Sequence, residues 1–132
     1  MRVVHEQEGI LGDSETREQR VLATEVEVAD SALAQAKGLM FRGQVPEDFA
    51  LVMDVGGGLL SGGPSRQFVH MLFMRVPIDV VWLVDETVQR TARLSPWTSF
   101  GLARADRIIE LPAGGAEGVE PGDRIRVERD DE

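Results

Sequence analysis

Alternating and continuous apolar positions divide this chain into short segments of β type. Within residues 20–28, Leu22, Val26 and Val28 point one way while Glu25 and Glu27 point the other, a period of two that predicts one half-buried strand. Residues 49–55 and 68–74 predict two more. Residues 78–84 are nearly all β-formers, which predicts a strand covered on both faces. After Asp85-Glu86, alternation resumes through Val88, Arg90, Ala92 and Leu94, so the two segments read as an antiparallel hairpin. Residues 95–105 read as a connection with one helical turn, and residues 107–111 as a strand closed by Pro112-Ala113-Gly114. Glu120-Pro121-Gly122-Asp123 has the Pro-Gly centre of a type II turn and leads into a last strand with Ile125 and Val127 facing inward.

Two stretches break the β pattern. Asp30 or Ser31 stands where an N-cap belongs, before the helix formers Ala32 to Lys37 and the stop residue Gly38, predicting a short helix. The glycine-rich run 56–64 lacks the Lys-Ser/Thr and the following helix of a phosphate loop, and reads as a hairpin tip or flap. The fold class expected is mainly β: a single compact barrel- or sandwich-like domain of mostly antiparallel strands with one or two short helices. Residues 1–19 read as an N-terminal strand and polar arm, 20–129 as the domain, and 130–132 as an acidic tail.

Composition narrows the function classes. Zero cysteines in 132 residues exclude a disulfide scaffold, cysteine-bound zinc or iron–sulfur, and a thiol nucleophile. Carboxylates outnumber cations 23 to 14, and the net charge of −9 opposes phosphate backbones and anionic lipid, so neither nucleic acid nor a membrane is expected as a partner. Lys37 is the only lysine, a bias that fits a salt-adapted cytosol, where a Debye length of about 3 Å at about 1 M screens the surplus charge. With no run of about 18 apolar residues and no signal-like start, the reading is a cytoplasmic protein, taken as a monomer. His5 and His70 fall in no ligand spacing, so no metal or cofactor is expected.

Four landmarks occur in a familiar order. They are Lys37-Gly38-Leu39-Met40-Phe41-Arg42, Val76-Pro77-Ile78-Asp79-Val80-Val81, Ile109-Glu110-Leu111-Pro112-Ala113-Gly114 and Pro121-Gly122-Asp123. Together they resemble the DUF192 family of bacterial and archaeal proteins, over roughly residues 21–128. The resemblance implies a compact, mainly-β fold and no particular reaction. The commoner family form carries Phe-Trp-Met-Lys-Asn-Thr where this chain has Val69-His70-Met71-Leu72-Phe73-Met74, so His70 stands in the tryptophan position.

Candidate chemistry collects where polar residues interrupt apolar runs. Asp79, between Ile78 and Val80, needs a partner if buried, and Arg75 or Arg42 could supply it. One reading is a structural ion pair or turn cap. Another is a pocket for a small, anionic ligand walled by Arg42, His70, Arg75 and Asp79 and rimmed by Trp97 and Phe100. A third has Asp79 and His70 as the acid–base pair of a hydrolase- or isomerase-like enzyme, and Asp79 with Glu110 is a further carboxylate pair to test. A fourth is an adaptor presenting the glycine-rich flap and a sheet edge. The C-terminal arginines Arg124, Arg126 and Arg129 alternate with acids and read as a self-paired face without aromatics to stack on bases.

Overall fold

The computed structural model describes residues 1–7, 18–29, 44–55 and 65–129. Ten strands follow in chain order: β1 (Arg2–Gln7), β2 (Glu18–Ala23), β3 (Glu25–Val28), β4 (Phe49–Asp54), β5 (Ser65–His70), β6 (Ile78–Val84), β7 (Thr87–Leu94), β8 (Phe100–Ala105), β9 (Arg107–Pro112) and β10 (Arg124–Glu128). Eight make one sheet, ordered β2-β1-β10-β7-β6-β9-β4-β3, and β5 and β8 pair as a separate antiparallel ribbon. The mainly-β class and the predominance of antiparallel pairing are as expected, with β3–β4 the parallel exception. The helix expected from residue 31 and the glycine-rich run 56–64 lie outside the described residues. Among the described residues no helix is long and apolar enough to cross a membrane.

The segment 20–28, expected as one strand, is two. The amides of Thr24 and Glu25 both donate to the Asp48 carbonyl, at 3.0 and 2.9 Å, and the chain turns between β2 and β3 at Thr24. These two strands are opposite edges of the main sheet. One residue can join opposite edges only if the sheet curls until they meet, and the natural strand twist supplies that curl. No ladder closes β2 on β3, so the result is an open, curled sheet. Its inner core draws Val3, Ala23 and Ile125 from one end together with Ala50, Val52, Val81 and Leu83 from the other. The strand β1 is therefore integral to the sheet, paired on both sides with β2 and β10.

The ribbon covers the outer face. Ile78, Val80 and Trp82 of β6 pack there with Phe49, Leu51 and Met53 of β4 against Val69, Met71, Met74 and Ala105. Strand β6 is buried on both faces, as its unbroken apolar sequence requires. Trp82 anchors the ribbon: fully buried, it donates its indole N–H to the Gln67 carbonyl of β5 at 3.1 Å. A Cβ on Gly101 of β8 would lie 2.5 Å from that ring, so only glycine lets β8 lie flat on it. Residues 95–105, expected as a connection, thus hold a strand.

Asp85 and Glu86, with φ of 50° and 68°, form the two-residue turn joining β6 to β7, the left-handed pair that a type I′ hairpin uses. A bulge then intervenes: Leu83 pairs with Val88 but Trp82 with Arg90, leaving Gln89 as the extra residue. Gly122, with φ of 95°, fills the expected type II turn before β10.

Candidate functional site: an exposed aromatic face

Asp79 has left the predicted pocket. It lies on the inner face of β6 with Val81 and Leu83 and is 5% exposed. Its Oδ1 accepts from Arg93 Nε at 2.9 Å, and its Oδ2 accepts the main-chain amides of Gly114 and Ala116, each at 3.0 Å. The hydrogen bond that Arg93 donates to Asp79, and then the charge of Asp79, raise the pKa of Arg93. Three partners satisfy this carboxylate and tie the turn after β9 to the sheet. Arg93, not Arg75, is its guanidinium partner because Arg93 is its cross-strand neighbour on β7. Arg42 lies outside the described residues.

This placement overturns the acid–base reading. His70 is at the end of β5 in the ribbon that covers the outer face, whereas Asp79 faces the inner core, so the main sheet stands between them. Glu110 is also buried, but it alternates with the inward-facing Ile109 and Leu111 and so sits on the face opposite Asp79. The pairing of these two carboxylates fails for the same reason.

The ribbon brings other residues together. Burial alternates along it: Val69, Gly101 and Ala105 face the core while Arg66, Phe68, Phe100, Leu102 and Arg104 are exposed. His70, half-buried, falls on the outward side by the same alternation. The register stacks these into three cross-strand rows, Arg66 with Arg104, Phe68 with Leu102, and His70 with Phe100. Phe68 and Phe100 are 58% and 65% exposed, with ring centroids 5.7 Å apart, and Phe68 lies 6.3 Å from the His70 ring. The Leu72 amide donates to His70 Nδ1 at 3.2 Å, which in neutral imidazole places the proton on Nε2.

Two turns adjoin the end of the ribbon. Expected as the end of a strand, residues 71–74 instead fold back, with the Met74 amide donating to the Met71 carbonyl at 3.2 Å. That carbonyl also accepts from the Trp97 amide at 2.7 Å, and the Met71 amide donates to Ser99 at 3.2 Å, so the turns at 71–74 and 96–98 are stitched together. They present Phe73 and Trp97 edge to face, with centroids 5.1 Å apart. Both residues have left-handed backbones, φ 64° and 68°. Bulky side chains avoid this region at a cost of roughly 1–2 kcal/mol each. In the commoner family form the position of Phe73 carries asparagine, which tolerates the left-handed conformation far better. This chain holds two surface aromatics in strained backbone.

The face is chemically distinct from the rest of the protein. Among the described residues, six of the nine exposed large apolar side chains lie on the ribbon (Phe68, Phe100 and Leu102) or in the two turns at its end (Leu72, Phe73 and Trp97). The segments that form the face, residues 65–75 and 95–105, carry three arginines and no carboxylate in a chain of net charge −9. Four arginines elsewhere are ion-paired, Arg2–Glu128, Arg107–Asp54, Arg124–Glu86 and Arg126–Glu6, all at 2.7 Å. In the C-terminal stripe Arg126 also pairs with its neighbour Glu128, at 2.9 Å, while the partner of Arg124 is Glu86 of the turn between β6 and β7. Arg66 and Arg104 form no ion pair among the described residues and oppose each other across the ribbon, an arrangement that like charges make unfavourable. Three depressions in the described surface lie elsewhere, one of about 550 Å³ between Glu6, Thr87, Pro121 and Asp123, and none of these three is lined by His70, Arg75, Asp79 or Trp97. Arg75 is exposed, just beyond the first turn.

Comparison with known proteins follows the same outline. The family model of DUF192, described as "Uncharacterized ACR", matches residues 14–127. The chain belongs to the DUF192 family. A UPF0127 protein of Pyrococcus horikoshii is 36% identical over 106 residues, covering 77% of this chain and 86% of that protein. Two crystal structures share the fold. One, from Novosphingobium aromaticivorans and of unknown function, superposes with a TM-score of 0.72 at 21% identity, covering 96% of this chain and 84% of its own. The other, described as a proposed transcription regulator from Sinorhizobium meliloti, gives 0.69 at 20% identity, covering 95% and 92%. At such identities these likenesses concern the DUF192 fold alone.

Proposed function

We propose that this DUF192 protein is a binding module that engages an anionic partner on the open aromatic face of β5, β8 and the two adjoining turns. The observation that carries this reading is the combination, on one ribbon and the two turns at its end, of two strained, exposed aromatics and an arginine pair that forms no ion pair among the described residues, in an otherwise acid-rich chain. A fold seeking only stability would replace each of these features; their presence together fits a surface shaped by a partner. The exposed rings and arginines are laid out in rows along a two-stranded ribbon, so the partner is extended and lies across it, in contrast to a small ligand held in a pocket. The acid surplus of the remaining surface belongs with a salt-rich cytoplasm and serves solubility.

The double substitution Phe68→Ser with Phe100→Ser tests the reading by chemical denaturation. Rings kept for binding contribute little to folding, and the variant is expected within about 0.5 kcal/mol of the parent. A loss of about 2 kcal/mol or more would make them structural and remove the proposal.

A further inference from the structure

We infer that the partner is single-stranded nucleic acid, a step that rests on the binding reading above and specifies its occupant. Charge complementarity comes from Arg66 and Arg104, adjacent on the ribbon and unpaired among the described residues. An anion alone would need no rings. The next two rows of the same face offer Phe68 and then His70 with Phe100, and beyond them lie Phe73 and Trp97. Rows on one strand face are about 7 Å apart, two residues of about 3.4 Å each, a spacing comparable with one nucleotide of an extended strand. An exposed sheet face carrying aromatics, flanked by guanidinium groups, is how proteins stack two or three unpaired bases while holding the phosphates. His70 Nε2–H and the two guanidinium groups supply donors for base edges and phosphate oxygens.

A duplex fits poorly, because its bases are already stacked and its phosphates would meet a mostly apolar surface. The net charge of −9 is no obstacle at this face: the segments that form it, residues 65–75 and 95–105, hold Arg66, Arg75 and Arg104 and no carboxylate. The expectation that phosphate is excluded holds for the chain average and not for this face.

The test uses the intact protein and fluorescein-labelled dT12 and U12, with a 12-base-pair duplex as the comparison, read by fluorescence anisotropy. The single strands are expected to bind saturably, at least tenfold tighter than the duplex. Phe68→Ala with Phe100→Ala should weaken binding tenfold or more, since each stacked base contributes about that factor. The logarithm of affinity should fall with the logarithm of salt concentration at a slope of about −1.4, two phosphates at about −0.7 each, and Arg66→Gln with Arg104→Gln should flatten that slope towards zero. Both pairs are surface changes, and circular dichroism checks that each variant is folded. Equal affinity for the duplex, or for polyglutamate of matched charge, overturns the inference because stacking would then play no part. Absence of oligonucleotide binding, with self-association in sedimentation velocity or binding to phosphatidylglycerol vesicles that the Phe68/Phe100 variant abolishes, overturns the inference but keeps the face as a binding surface. Oligonucleotide binding that neither variant pair alters overturns both.

Discussion

Asp79 decides a structural question through three bonds. Its carboxylate is the junction of β6, β7 and the turn after β9, and removing it strands the Gly114 and Ala116 amides inside the protein. Asp79→Ala is therefore expected to cost about 2–4 kcal/mol in denaturant unfolding, and a cost below about 1 kcal/mol would show that water replaces the carboxylate at no penalty. The need for a partner was legible in the sequence, since an acid amid β-branched neighbours must be satisfied. Its identity was not. A two-residue turn at Asp85-Glu86 without a bulge would set Ala92 opposite Asp79; the bulge at Gln89 advances the register by one and brings Arg93 there. Nothing in the residue string Val88-Gln89-Arg90 announces that bulge. The strain at Phe73 and Trp97 was equally hidden, because left-handed conformations are read from glycine and asparagine, and neither position has them.

The ribbon is the element on which the functional reading turns, and Trp82 and Gly101 fix its position. Gly101→Ala places a methyl group against a fully buried indole ring at 2.5 Å, a clash with a rigid neighbour. A loss of about 1–3 kcal/mol is expected, with faster amide exchange in β5 and β8 than in β6 and β9. Unchanged stability would mean that the ribbon does not rest on Trp82. Most strands were legible from periodicity: β4, β6, β7, β9 and β10 fall where alternation or continuous apolar sequence puts them. The strand β8 was not, because its core-facing residues are Gly101, Ala103 and Ala105 and its large side chains point to solvent. The pattern that marks a half-buried strand is inverted there, and the inversion is itself the trace of an exposed aromatic face. The division of 20–28 into β2 and β3 was hidden too, since the polar and apolar alternation runs through Thr24 while the chain changes partners.

At the scale of the molecule, an acid-rich curled sheet supports one face of opposite character. Composition averages over both and points away from anionic partners; the fold separates them, gathering arginines and aromatics on the ribbon. The two tryptophans report on the two regions, Trp82 fully buried and Trp97 54% exposed on the face. Titrating dT12 into the intact protein and following tryptophan emission asks directly whether bases stack on that face. Saturable quenching confined to the exposed indole, and lost in Trp97→Phe while the protein stays folded, is the result predicted. Unchanged emission at saturating oligonucleotide, or quenching of equal size in Trp97→Phe, would contradict it.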